Sequence, residues 1–348
     1  MASFQISVHA ASPFATEHAP EFYHVSRPRP FLARSSSTTT LVFISLPSVK
    51  RILIYSLLLL PAFAFTQDYL DQFPHRKQTE YFDFRYRSNS PRVAEIARFG
   101  DGFIKFVNRD FFKADFDYPI RVLVLEDRAR FKEFIRREFQ DNDPPDFGIY
   151  FSKHKLFATF EDSGLGTFAH EIMHPLVERN LRDRPEWAVE GIPTFFEKFY
   201  GYWTNDALVV QWGFQNPWRI YQLATNLTQL DLKQIISYKA QRSAYGQLQH
   251  NESKQRMVSV FLWQQGRFKR FLQLIATREK NGYPTYFEAA MEMPIERILP
   301  IWQDYLNNVA TKRSEIMTLP GSTIFNSQAA FRGFAMNYGL LQENVSQH

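Results

Sequence analysis

Two rhythms of apolar and polar positions run along this chain, and the change from one to the other divides it. Between residues 78 and 87, Tyr81, Asp83 and Arg85 alternate with Phe82, Phe84 and Tyr86, which predicts a strand covered on both faces. Val93, Ile96, Ala97, Phe103, Ile104 and Val107 then recur at helical spacing across 91–113. Residues 119–125 read as a strand, 129–139 as a helix, and 141–146, with two prolines, as a loop. Residues 148–160 form either one strand or a hairpin turning at Lys153-His154-Lys155, with His154 a solvated turn residue. The order to this point is β-α-β-α-β.

From there the helical period takes over. Glu161 to Gly166 is a loop whose Asp162 and Ser163 offer cap chemistry. The helix after it carries Phe168, Ile172 and Leu176 as an apolar stripe, and a second helix starts near Asp183 and Pro185. After Tyr202 helices are expected over 216–227, 230–237, 254–263, 268–278, 286–291 and 295–307. Beyond Pro320 apolar clustering weakens, which predicts a disordered or loosely docked tail over 318–348.

Near the other end, Lys50 and Arg51 precede an apolar run of about 14 residues and the small-x-small site Ala62-Phe63-Ala64. The run is shorter than the roughly 20 residues that span a bilayer. Residues 49–64 therefore read as a signal peptide, with the mature chain starting near Phe65 and an uncleaved membrane anchor as the alternative. Such a signal begins a precursor, so Val49 is the expected translation start and residues 1–48 a non-native or disordered extension. An organellar presequence is the rival reading of those 48 residues. Export to the periplasm or the extracellular space follows from the signal.

Composition narrows the chemistry. A hydrophobic share of 45% over 348 residues supports a sizeable core, and 35 phenylalanines suit packing. With no cysteine, any transition-metal site must be built from His, Asp and Glu. The formal charge is +5, but residues 1–64 hold five Lys/Arg against two acids, and the remainder interleaves its charges. That interleaving gives nucleic-acid binding little support, and no nucleic-acid partner is expected.

The candidate chemistry lies at His170-Glu171-x-x-His174. Two histidines four apart share one helical face and can reach one metal ion, while Glu171 is offset and free to act on a bound water. Sixteen residues beyond His174, Glu190 stands on the second helix as a third ligand.

His170-Glu171-x-x-His174 followed by Trp187-x-x-Glu190-Gly191 resembles the gluzincins, the peptidase MA-like group related to thermolysin and the zinc aminopeptidases. The specific likeness covers about residues 145–200. Ile301-Trp302-x-x-Tyr305-Leu306 is similar to a helix of that group's second lobe. The resemblance implies an α+β fold: a zincin-type catalytic lobe over 65–203, with a small mixed sheet and the active-site helix, then a mainly helical lobe over 204–317. It implies zinc (Zn2+) held by His170, His174 and Glu190, with Glu171 as general base toward a zinc-bound water. A peptide or protein substrate is then expected to pair along part of 148–160, although an ordinary hairpin fits that segment equally well. Tyr245 is the candidate oxyanion donor, in a loop-like segment before a helix, with His250 second. Trp187 is expected to pack under the site, Thr194 to hydrogen-bond near it, and Glu197 to lie on the surface. Pro175 and Pro193 depart from the group's pattern and predict kinks or tightened turns. The expected activity is that of an exported zinc metallopeptidase. The alternative is a zinc-binding envelope protein or assembly factor without peptidase activity.

Overall fold

The computed structural model describes residues 68–112, 119–181, 184–205, 207–237, 245–277 and 283–340, the side chains of 245–249 and 283–285 excepted. The expected N-terminal extension, the signal peptide and residues 341–348 lie outside the described residues. Among the described residues no helix is long and apolar enough to cross a membrane.

The first half builds a mixed sheet. Strands β1 (His75–Gln78), β2 (Phe82–Tyr86), β3 (Ile120–Leu125), β4 (Gly148–Phe151) and β5 (Leu156–Phe160) lie in the order β1-β2-β3-β5-β4. The β2–β3 and β3–β5 pairs are parallel, and the outer pairs, β1–β2 and β4–β5, are antiparallel. The strand predicted over 78–87 is present as β2, while its first residue, Gln78, ends a separate strand, β1, that turns back on it through residues 79–81. Residues 148–160 form the hairpin, with His154 exposed in its connecting 3-10 turn.

Side-chain alternation assigns the two faces. Ile120, Val122 and Val124 of β3 join the larger core, with α1 (Pro91–Asp110) and α3 (Leu165–Asn180). Leu123 and Leu125 point the other way, onto Phe131, Phe134 and Ile135 of α2 (Arg128–Phe139). Successive apolar residues therefore serve opposite layers, which is why the strand reads as a continuous apolar run. Phe168 of α3 stacks on Phe84 of β2, with centroids 6.1 Å apart and planes 12° apart, and also meets Phe82, Phe99 and Phe157. This aromatic cluster seats α3 across the sheet.

α4 (Glu186–Phe196) packs along α3 and leads into a second sheet, ordered β7-β6-β8, from β6 (Tyr200–Trp203), β7 (Leu208–Gln211) and β8 (Thr323–Phe325). The remainder is helical: α5 (Pro217–Gln222), α6 (Leu232–Ile236), α7 (Tyr245–Gln264), α8 (Phe268–Ala276), α9 (Tyr283–Met291), α10 (Ile295–Thr311), α11 (Arg313–Met317) and α12 (Gln328–Asn337). Helix α7 is enclosed by its neighbours, with Met257, Val258, Val260, Phe261 and Leu262 all buried. The larger core draws apolar residues from as far apart as Phe82 and Ile316, and the α2 face of the sheet keeps its own smaller core.

Two expectations change here. Within the segment after Pro320, residues 323–340 are docked rather than loose. β8 pairs in parallel with β6, and Phe325, Phe331 and Phe334 pack on Tyr200 and Tyr202. Aromatic residues that look sparse in sequence meet a ready aromatic surface. Tyr245 and His250 belong to α7 rather than to a loop before it. Pro175 and Pro193, where kinks or tightened turns are expected, lie within α3 and α4 rather than at their ends.

Candidate metal centre

Helix α3 places His170 and His174 one turn apart on one face, and α4, packed beside it, delivers Glu190. His170 Nε2 lies 3.3 Å from His174 Nε2, and Glu190 Oε2 lies 3.4 and 3.6 Å from these two atoms. Four tetrahedral bonds of 2.0–2.2 Å hold ligand atoms roughly 3.3–3.6 Å apart, so the three donors fit one ion. Among the described residues this is the one group of His, Asp and Glu able to hold a metal. The two histidine side chains are 11% and 15% exposed and that of Glu190 is 35% exposed, so the cluster opens on the Glu190 side.

Glu171 is buried beside the cluster and contributes no atom to it. Burial pushes its carboxyl up to about 8, with His170 pulling it down and Glu190 and Glu252 adding to the rise. The Tyr150 backbone, on the edge strand β4, hydrogen-bonds this carboxylate. A Cβ on Gly148 would come within 3.1 Å of Glu171 Cγ and 3.0 Å of Thr167, so glycine lets β4 run close against α3. Tyr150 also lays its ring parallel to that of His174.

Behind His170 lies a second carboxylate. Its Nδ1 is buried, makes no hydrogen bond of good geometry, and lies 3.4 Å from Glu197 Oε2. The expectation that Glu197 lies on the surface is wrong: it is buried. Arg219 of α5 donates Nε to Oε1 at 2.9 Å and Nη2 to Oε2 at 2.8 Å, and Asn216 donates to Oε1 at 2.7 Å. Burial alone would raise the Glu197 carboxyl, but Arg219, His170 and Arg256 hold it well below the usual carboxylate range. A buried charge needs such pairing.

The other predicted residues fall as follows. Trp187 is buried and stacks on Phe271 of α8, with centroids 5.1 Å apart, which ties α4 to the helical layer. Thr194 does not touch a ligand side chain through any hydrogen bond. Its hydroxyl donates to the backbone carbonyls of Glu190 and Gly191, at 2.7 and 3.1 Å. The cap chemistry expected at Asp162 and Ser163 is not used, because Gly164 occupies the N-cap of α3 without a side-chain cap. Tyr245 is the first residue of α7, and its side chain lies outside the described residues. His250 follows on the same helix, its imidazole lowered by burial and by Lys254.

Sequence reasoning missed Glu197, Arg219 and Tyr150. For Glu197 a signal was available: it stands seven residues after Glu190, two turns along the same helical face, with αR backbone at the end of α4. Nothing local marks Arg219 or Tyr150.

The structure thus holds a His/His/Glu cluster able to coordinate a metal ion, with a buried carboxylate beside it, in a mixed α/β fold whose C-terminal part is mainly helical. Comparison of the chain with protein-family models and with curated proteins gives no match.

Proposed function

We propose that the chain is an exported zinc-dependent metallopeptidase of gluzincin type, with His170, His174 and Glu190 as the zinc ligands. The reading rests on one observation: Nε2 of each histidine and Oε2 of Glu190 converge within 3.6 Å of one another, while the buried Glu171 stands beside them and gives no atom to the cluster. A structural zinc site closes with four protein ligands and has no use for a fifth, buried carboxylate. Zinc bound there supplies Lewis-acid polarisation of a carbonyl oxygen and makes water acidic near neutral pH.

The chain's own residues do the rest. Glu171 takes the proton of the attacking water and returns it to the leaving amine. Positive charge at the ligand cluster brings its raised carboxyl down into the ionised form that a base requires. The free edge of β4, which already touches Glu171 and His174 through Tyr150, is the proposed seat of an extended peptide added as a further strand. Tyr245, at the start of α7, is the proposed oxyanion donor. Export is inferred from the signal-like residues 49–64.

The test combines zinc stoichiometry by elemental analysis with hydrolysis of a peptide library. Wild type and Glu171→Gln should each hold about one zinc per chain, and Glu190→Ala should bind it so weakly that the site does not fill at the same zinc concentration. Only wild type should turn over, with kcat reduced at least about 100-fold in Glu171→Gln. Full hydrolysis by Glu171→Gln would refute the mechanism. Zinc without hydrolysis of any peptide would favour a zinc-binding assembly protein.

A further inference from the structure

Arg219 has no part in the reaction above, yet it is one of the most enclosed charges in the protein, with 9% of its side chain exposed. It occupies α5, and its three nitrogens serve two carboxylates. Nε and Nη2 take both oxygens of Glu197, and Nη1 donates to Glu252 Oε2 on α7 at 2.7 Å. With Asn216 on the same Oε1, neither oxygen of Glu197 is free to turn.

That fixation matters because of what Glu197 faces. Oε2 lies 3.4 Å from His170 Nδ1, on the opposite side of the imidazole from the Nε2 that joins the ligand cluster. An imidazole that offers Nε2 to a metal carries its proton on Nδ1. A carboxylate held against Nδ1 favours that tautomer and fixes the ring plane. Left to itself, a carboxylate rotates freely about its last torsion. A planar guanidinium gripping both oxygens removes that freedom, and a lysine ammonium of equal charge does not.

We propose that Arg219 is a positioning residue of the metal centre, acting through the Glu197 carboxylate to set the tautomer and ring orientation of His170. The proposal rests on the reading of His170, His174 and Glu190 as a metal site. A merely structural Arg219 would stabilise the fold by neutralising Glu197, and lysine would serve nearly as well.

The experiment is a zinc titration of metal-free protein in competition with a chromophoric chelator, with folding checked by thermal unfolding. Wild type, Arg219→Lys and Glu197→Gln are compared, each also in a His170→Ala background. In the wild-type background either substitution should lower zinc affinity about tenfold. In the His170→Ala background the same substitution should change it by less than about twofold, because the residue through which it acts is gone. Wild-type affinity in a folded Arg219→Lys protein, or an equal loss in both backgrounds, overturns the proposal. Should Arg219→Lys fail to fold, Glu197→Gln decides the matter by the same two comparisons, since Arg219 keeps Glu252 as its partner. If folded wild type binds no zinc, the metal reading itself falls and takes the proposal with it. That result is distinct from zinc binding that the substitutions leave untouched.

Discussion

The phenol ring of Tyr150 lies parallel to the imidazole of His174, with centroids 6.0 Å apart and planes 4° apart. Its hydroxyl comes within 3.4 Å of Glu178 Oε2, one turn further along α3. The edge strand therefore supports one face of a candidate ligand. Tyr150→Phe keeps the stack and should leave zinc affinity within about twofold. Tyr150→Ala should lower it several-fold, in line with the roughly 0.5–1.5 kcal/mol of an aromatic pair. Equal losses in a chelator-competition assay would transfer the role to the hydroxyl.

Metal uptake should expel protons. Burial disfavours charge on His170, but its contacts with Glu190 and Glu197 outweigh burial and raise the imidazole well above its ordinary value. Burial lowers His174 to about 4. Near pH 7 the metal-free site thus holds a proton on His170 and none on His174. Apparent zinc affinity should rise about tenfold per pH unit for each proton released, and level off above the raised His170 value. Calorimetry in buffers of differing ionisation enthalpy should record about one to two protons released, the second from Glu171. An affinity unchanged between about pH 6 and 8 would contradict this. In the metal-free fold the sign is opposite. The stability contributed by His170 is fully present below the unfolded value of about 6.5 and is lost as pH rises through the raised folded value.

Two glycine-to-alanine changes in helices should have opposite signs. A Cβ on Gly166 would lie 2.5 Å from the backbone oxygen of Glu197, which cannot swing away as a side chain can. Gly166→Ala should cost about 1–3 kcal/mol in urea unfolding, as overpacking does. Gly333, exposed within α12, has nothing within 4 Å of its built Cβ. Gly333→Ala should stabilise by roughly 0.5–1 kcal/mol. A neutral Gly166→Ala would mean that α3 and the end of α4 separate easily.

Ser322 is a small, half-buried residue with two hydrogen-bonding duties. Its hydroxyl donates to the Glu197 carbonyl at 2.6 Å and accepts from the Phe199 amide at 3.1 Å. Ser322→Ala should lower unfolding free energy by about 1–3 kcal/mol, the cost of leaving such groups unpaired. Ser322→Thr, which keeps a hydroxyl, should recover part of the loss, and failure to do so would point to packing instead.

What could be read from the sequence follows the range of the interactions involved. The two histidines declare themselves through a single helical turn, and Glu190 through a neighbouring helix. The strand at 120–125 and helix α1 follow from local period alone. Glu197 misleads because an acid beside Lys198 at a helix end looks solvated. Its burial depends on Arg219 and Arg256, which arrive from helices further along the chain. Likewise β6 finds β8 across more than a hundred residues, pairing Tyr200 with Thr323 and Tyr202 with Phe325. No local pattern encodes a parallel partner at that distance.

The strand and helix that close the second sheet also set an order of events during synthesis. All three candidate ligands leave the ribosome by residue 190, and Glu197 soon after. The hydroxyl that secures the Glu197 backbone comes at residue 322, and the strand that flanks β6 ends at residue 325. A nascent chain stopped before that point would possess every ligand in a setting still unfinished. The candidate metal cluster can therefore reach its mature setting only after residue 325 has joined the fold, well after its ligands have appeared.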